Sequence, residues 1–231
     1  MQDDEVAKLA ASISNEEISS ALLSLKAPGS DGLHAGFFQH FWLFVGESVK
    51  AEVKQIFTSQ SISEYLNRIL ITLIPKYNAP KSLSNYRLIS LCNTIYKIVT
   101  KVIVAKICPM LSNLVSPYQT AFVLGRKGID NAIIVQELVH TMSKMKGRGG
   151  FMAIKIDLQK AYDRLEWSFI RDTLALFKFP NHLASLIISC VSTSFISMLY
   201  NGSALEPFLP SRGIRQWDPS PPIYLFSVWK F

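Results

Sequence analysis

The stretch of residues 151–164 reads FMAIKIDLQKAYDR, and it decides the fold expected of the whole chain. An apolar run ends at the carboxylate of Asp157, and the aromatic side chain of Tyr162 follows five residues later. We predict a buried β-strand that ends at Asp157 and leads into a helix. A carboxylate at a strand end is a common metal ligand. On spacing alone, however, a turn or cap role for Asp157 is favoured.

Composition indicates a globular protein with a basic part. The chain has 231 residues, 49% hydrophobic and 18% charged, which allows a sizeable core and excludes a disordered tail. The net charge of +7 is uneven, since residues 1–66 hold 4 Lys/Arg against 9 Asp/Glu and residues 67–231 hold 20 against 8. The basic part suits a polyanionic partner, with nucleic acid favoured over membrane; ordinary solvated surface is the alternative.

Cysteine and histidine spacing argues against a metal-thiolate or zinc site. Cys92, Cys108 and Cys190 lie far apart, and the four histidines show no ligand spacing. This usage and the acidic start, which lacks a signal-peptide pattern, predict an intracellular protein, with nucleus or cytoplasm undecided. The uncharged segment Leu183–Tyr200 holds five serines, so we predict a buried helix followed by a strand rather than a membrane span.

Local patterns predict the remaining elements. Helices are predicted from a capping box at Ser14, over 33–58, 93–111, 129–145 and 167–177, and after Pro180. Strands are predicted over 68–75, 86–91, 195–200 and 204–208, the last two joined by an Asn201-Gly202 turn. The aromatics Phe37, Phe38, Phe41, Trp42 and Phe44 are predicted to be core, and Lys97, Lys101 and Lys106 to lie on a polar helix side.

Six short motifs follow one another in a specific order. They are KAPGSDG (26–32), LIPK (73–76), YRLISL (86–91), QTAFVLGR (119–126), DLQKAYDR (157–164) and SRGIRQ (211–216). The series closely resembles the reverse transcriptase of LINE-type non-LTR retrotransposons, especially those of plants, over residues 14–226. The resemblance implies RNA-directed DNA polymerase activity, in which an RNA template, a DNA primer and dNTPs take part in nucleotidyl transfer.

The resemblance also implies an α+β fold with two parts. Residues 1–67 would form a helical N-terminal extension carrying the APGxDG-like loop. Residues 68–231 would form the fingers and part of the palm of a right-hand polymerase, built on an antiparallel sheet.

Catalysis in this family depends on Mg²⁺. Two ions about 3.5–4 Å apart clamp the attacking and leaving oxygens. By resemblance, Asp157 is the first metal-binding and catalytic aspartate, and Leu158 offers its carbonyl. Tyr162 corresponds to the aromatic residue that packs under the incoming sugar; a core role is the alternative.

Other nucleotide-binding and nucleic-acid-binding residues are implied in the fingers and in the glutamine motif. Lys76 and Arg87 match residues that hold the triphosphate, although both could be plain surface charges. Gln216 lies in the motif that supports the nucleotide and template. Arg126 is either a nucleic-acid-binding residue or a structural residue of the fingers.

Departures from the family pattern lead to a prediction of inactivity. Trp217 replaces a glycine of the glutamine motif, an extra residue precedes Tyr224, and leucines at 88 and 124 replace prolines. The sequence ends at Phe231, before the family's Asp-Asp hairpin, so we expect a truncated chain without polymerase activity of its own. A non-catalytic nucleic-acid-binding remnant is the alternative, and the oligomeric state is left open.

Overall fold

The computed structural model describes residues 1–25, 28–120, 123–145, 150–158 and 160–214. Its helices are α1 (Asp3–Ala10), α2 (Asn15–Leu23), α3 (Ala35–His40), α4 (Trp42–Ser59), α5 (Thr94–Ile107), α6 (Leu111–Leu114), α7 (Gly128–Lys144), α8 (Ala161–Arg164), α9 (Trp167–Leu176) and α10 (Asn181–Ser192). Its strands are β1 (Arg68–Pro75), β2 (Tyr86–Cys92), β3 (Phe195–Tyr200) and β4 (Ser203–Ala204). Short 3-10 turns cover Leu83–Asn85 and Cys108–Met110. This mixture of helices and one small sheet confirms the predicted α+β class.

The strands form one sheet in the order β2-β1-β3-β4. Strands β1 and β2 make the predicted antiparallel hairpin, with Ile74 opposite Arg87. Strand β3 lies parallel to β1, with Arg68 opposite Phe195, so the sheet is mixed and contains one parallel pair that the expected antiparallel sheet did not include. Parallel strands need a long connection between them. Here the helices between β2 and β3, ending with α9 and α10, return the chain so that β3 runs alongside β1 in the same direction.

Two local sequence signals form as predicted. The Ser14 hydroxyl accepts a hydrogen bond from the Glu17 amide at 3.1 Å, and the Glu17 carboxylate accepts one from the Ser14 amide at 2.7 Å. This capping box starts α2. Asn201 and Gly202 have φ of 47° and 81°, the left-handed values that a two-residue hairpin turn between β3 and β4 requires.

The core is centred on α5. This helix contacts α2 and α4, and its apolar residues Ile98, Val99, Val102, Ile103 and Ile107 are almost fully buried. Lys97 is also buried, contrary to the prediction of a polar helix side, because its ammonium reaches the carbonyl of Pro28 at 3.3 Å. A long aliphatic stem lets a lysine lie in the core while its charge finds an oxygen.

The aromatic residues of the N-terminal extension only partly join the core. The predicted helix over 33–58 breaks at Phe41 into α3 and α4. Phe38 is buried, but Phe37 and Phe41 are about two-fifths exposed and Phe44 is 82% exposed, so the predicted core role is wrong for these three. The rings of Phe37 and Phe38 meet edge to face at 5.5 Å, and Phe37 also contacts Phe41 at 5.1 Å, so Phe37 and Phe41 pack beside the buried Phe38 at the edge of the core.

The predicted strand over residues 151–157 is absent from the structure. Residues 150–158 form neither strand nor helix and are exposed, with Ile154 and Ile156 each 75% exposed. A β-strand exists only where a neighbouring strand accepts its backbone hydrogen bonds, and no described residue pairs with this segment. Helix α7, which precedes it, has no buried residue either.

The segment Leu183–Tyr200 forms α10 and β3, as predicted. Within the described part of the chain, no helix is long and apolar enough to cross a membrane.

Candidate functional site

The structure brings two of the predicted motifs together around α8. The amide of Gly213 donates to the carbonyl of Leu165 at 2.7 Å, and the amide of Ile214 donates to the carbonyl of Tyr162 at 2.8 Å. Tyr162 itself is half-buried and packs against the core. The start of the SRGIRQ motif is therefore fixed beside the end of the DLQKAYDR motif. Gln216 falls outside the described residues.

Gly213, which belongs to the SRGIRQ motif, and Trp167, which belongs to none of the six motifs, make this contact possible. Gly213 has φ of 88°, and a Cβ atom there would lie 3.0 Å from the carbonyl oxygen of Asp163. Trp167 donates from its indole Nε1 to the carbonyl of Gly213 at 2.8 Å. The arginine-glycine pair at 212–213 signals a tight turn, but nothing in the sequence points to Trp167 as its partner.

Asp157 and Leu158 lie in the exposed segment 150–158. Their carboxylate and carbonyl oxygens are donors of the kind that Mg²⁺ prefers. Among the described residues, however, no group of three or more Asp, Glu, His or Cys side chains is close enough to hold a metal ion. One carboxylate and one carbonyl do not suffice for two ions. The described residues by themselves therefore do not form a two-metal site.

Lys76 and Arg87 share one face of the β1–β2 hairpin. Arg87 pairs directly with Ile74, and the amide of Lys76 continues the pairing by donating to the carbonyl of Asn85 at 2.8 Å. Because opposite residues of an antiparallel pair point the same way and side chains alternate, these two cations lie on the same side. Both are exposed, and the Lys76 ammonium donates to the carbonyl of Ser84 at 2.8 Å. Arg87 has no ion-pair partner in the described ranges.

A cavity of about 500 Å³ opens on the same face, at the other end of β1. Its floor includes Arg68 and Leu70, which alternate with Ile74 and therefore share its face. Residues 30–31 and Tyr65 form one wall, and the segment after β4 forms another. Arg68 is paired with Glu64 at 3.3 Å in an exposed ion pair. The cavity was not predictable from the sequence, because its walls come from segments far apart in the chain.

Arg126 organises the loop before α7. Its guanidinium donates to the carbonyls of Ser116 at 2.6 Å, Gln119 at 2.7 Å and Ser112 at 3.0 Å. Asn131 adds a bond from its side-chain amide to the carbonyl of Tyr118 at 2.7 Å. A guanidinium that already binds three carbonyls has few donors left for a phosphate. This geometry favours the structural alternative for Arg126.

Three relatives resemble the chain over much or nearly all of its length. The Xenopus laevis transposon TX1 uncharacterized 149 kDa protein is 28% identical over 97% of this chain and 17% of its own length. The Drosophila melanogaster retrovirus-related Pol polyprotein from type-2 retrotransposable element R2DM is 28% identical over 67% of this chain and 14% of its own. The Nasonia vitripennis retrovirus-related Pol polyprotein from type-1 retrotransposable element R2 is 25% identical over 97% of this chain and 21% of its own length.

The chain thus spans about a fifth or less of the length of these non-LTR retrotransposon proteins. The family described as reverse transcriptase (RNA-dependent DNA polymerase) matches residues 74–228, which include the hairpin cations, the exposed aspartate and the docked motifs around α8. The chain therefore belongs to the reverse transcriptase family.

Proposed function

We propose that the exposed face of the β1–β2 hairpin binds an RNA template, a DNA primer and a dNTP for RNA-directed DNA synthesis. The observation that carries this proposal is the alignment of Lys76 and Arg87 with the cavity on a single face of the sheet. From Arg68 to Ile74 the strand covers about 20 Å, roughly the rise of six stacked nucleotides. Such a face can hold several nucleotides at once.

The two ends of this face suit different parts of the ligand. The Lys76 and Arg87 end is cationic and suits phosphates, especially a dNTP triphosphate. Among the residues that line the cavity, Arg68 is the one cation and Asp31 and Glu64 are anions, so the cavity is unsuited to a phosphate group. Its aromatic and aliphatic walls suit an unstacked base of the template strand.

The catalytic part of the proposal concerns the docked motifs. Reverse transcriptases in general use divalent metal ions; here we propose Mg²⁺, with Asp157 and the Leu158 carbonyl as two of its ligands. Tyr162 is proposed to pack under the incoming sugar, and Gln216 to support the nucleotide and template. The remaining carboxylates would have to come from outside the described residues. Binding without catalysis by this chain alone is therefore the second candidate, because the described residues contain no cluster of three or more Asp, Glu, His or Cys side chains that could hold a metal ion.

Binding can be tested with a fluorescent RNA template annealed to a DNA primer. Fluorescence anisotropy over a range of salt concentrations should show that Lys76→Ala and Arg87→Ala each weaken binding and lower the salt slope by about one unit per lost phosphate contact. Lys144→Ala, an exposed lysine on α7, is the matched control and should change little. Equal losses in all three variants would mean that binding is not on this face.

Catalysis can be tested by primer extension with Mg²⁺ and dNTPs. We expect no incorporation by this chain alone. Incorporation that Asp157→Ala abolishes would contradict that expectation and establish Asp157 as catalytic.

A further inference from the structure

The loop of residues 28–33 is bound to the chain around α5 by Asn93, a side chain only 1% exposed. Its carbonyl oxygen Oδ1 accepts hydrogen bonds from the Ser30 hydroxyl at 3.0 Å and from the Asp31 amide at 3.2 Å. Its amide nitrogen Nδ2 donates to the carbonyl of Tyr65 at 3.2 Å. One side chain therefore joins the loop, the segment before β1 and the start of α5.

Two neighbours on the same helical turn complete the attachment. The Thr94 hydroxyl donates to the carbonyl of Leu33 at 3.1 Å, and the Lys97 ammonium donates to the carbonyl of Pro28 at 3.3 Å. Both donor side chains are buried, while their carbonyl partners lie nearer the surface, so the two bonds are partly shielded from water. The loop is thus held at its beginning, middle and end.

Gly29 allows the loop to approach this closely. A Cβ atom at Gly29 would lie 2.4 Å from the Cα of Asn93, which is backbone and cannot rotate away. Any side chain at position 29 would therefore push the loop off the start of α5. Glycine is needed at position 29 because it lacks a Cβ atom, and not because of its conformational freedom.

The attached loop is also a wall of the cavity on the sheet. Ser30, Asp31 and Asn93 line that cavity opposite the strand residues Arg68 and Leu70. The Ser30 hydroxyl lies 3.3 Å from the carbonyl of Arg68, which links the wall to the floor. A wall fixed before binding spares the ligand the entropy cost of ordering a loop.

We infer that Asn93 and Gly29 are positioning residues that hold the 28–33 loop as a preformed wall of the nucleic-acid cavity. The inference rests on the proposed function, since it assigns a role in binding RNA. It predicts that loosening the loop weakens RNA binding even when the fold is intact.

The test combines hydrogen exchange of the whole chain with anisotropy of a labelled single-stranded RNA of mixed sequence. Gly29→Ala and Ser30→Ala should speed exchange at the Asp31 amide and weaken RNA binding by roughly three- to tenfold, the scale of one or two lost hydrogen bonds. Gly128→Ala is the matched control, because a Cβ there meets no atom within 4 Å. It should change neither measurement.

Asn93 variants separate positioning from simple packing. Asn93→Asp keeps oxygen acceptors for Ser30 and Asp31 but loses the amide that donates to Tyr65, so the Asp31 amide should exchange more slowly than in Asn93→Ala, which loses the acceptors as well. If either variant fails to fold, the exposed Ser30→Ala still provides the test.

Three outcomes would overturn the inference in distinguishable ways. Unchanged exchange at Asp31 in Gly29→Ala and Ser30→Ala would show that the loop is not held by these contacts. Faster exchange with unchanged RNA binding would remove the role in binding and leave the proposed function standing. Failure of the unaltered chain to bind RNA would overturn the proposed function, and the inference with it.

Discussion

Helices α5 and α7 both have an Ile/Val-rich composition, but their surroundings differ. Their lengths are 14 and 17 residues. Helix α5 buries nine residues and contacts α1, α2 and α4, whereas α7 buries none. On α7, Ile133 is 53% and Leu138 is 57% exposed. The comparison teaches that an amphipathic pattern predicts a helix, while burial depends on a partner that the pattern does not contain.

The segment after α7 extends the same contrast to strands. Strand β1 lies between β2 and β3, and its Ile69 is 2% exposed. Residues 150–158 have an equally apolar sequence but stay exposed and unpaired with any described residue. Exposed apolar patches of this kind mark interfaces or aggregation-prone surfaces. Helix α7 and this segment together form the unpacked region of the molecule, and α5 with β1 forms the packed region.

The largest effect is expected from the same substitution in the two helices. Ile103→Ala removes a side chain that is 1% exposed in α5 and should lower the free energy of unfolding by about 2–5 kcal/mol. Ile133→Ala in α7 should change it by less than about 0.5 kcal/mol. Urea denaturation followed by circular dichroism measures both. A large loss in Ile133→Ala would show that α7 is packed in solution.

A smaller effect is expected where Gly213 packs against α8. The backbone is left-handed at both Gly213 and Gly125, with φ values of 88° and 79°. An alanine at either position should lower the free energy of unfolding by about 1–2 kcal/mol, because its Cβ atom disfavours this conformation. Only Gly213 also has a backbone oxygen within 3.0 Å of the added Cβ, while Gly125 has open space. Gly213→Ala should therefore cost about 1 kcal/mol more than Gly125→Ala and expose residues 211–214 to proteolysis. Equal losses would mean that the close contact yields without cost.

The smallest effect on stability is expected in the unpacked segment. Ile156→Ser replaces a side chain that is 75% exposed, so the free energy of unfolding should change by less than about 0.5 kcal/mol. Self-association should fall, because an exposed apolar run loses one of its members. Light scattering at increasing protein concentration measures this, with the neighbouring Lys155→Ser as control. A clear loss of stability would instead place Ile156 in a packed sheet.

Sequence reasoning succeeded where the determining contacts are local. The Ser14 capping box and the Asn201-Gly202 turn are each specified within a few residues, the β1–β2 hairpin joins neighbouring strands within 25 residues, and each forms as predicted. The ordered motifs predicted the family, which the match over residues 74–228 confirms. The assigned roles of Lys76, Arg87, Asp157, Tyr162 and Gln216 stay predictions.

Sequence reasoning failed where distant residues meet. The parallel pairing of β1 with β3 and the hydrogen bonds of Asn93 join segments tens to more than a hundred residues apart. No local pattern shows which buried polar group a loop will contact, so Asn93 and Trp167 were missed. The strand expected over 151–157 failed for a related reason, because an apolar run does not specify its neighbour.

The parallel pairing of β1 with β3 also affects the timing of folding during synthesis. Residue 68 leaves the ribosome 127 residues before its partner at position 195. At about 5–20 residues per second, β1 waits roughly 6–25 s for that partner. During this interval the hairpin with β2 can form, but the edge of β1 that later binds β3 stays open to other chains. Translation speed between these two strands is therefore expected to influence how much of the newly made protein reaches the folded state.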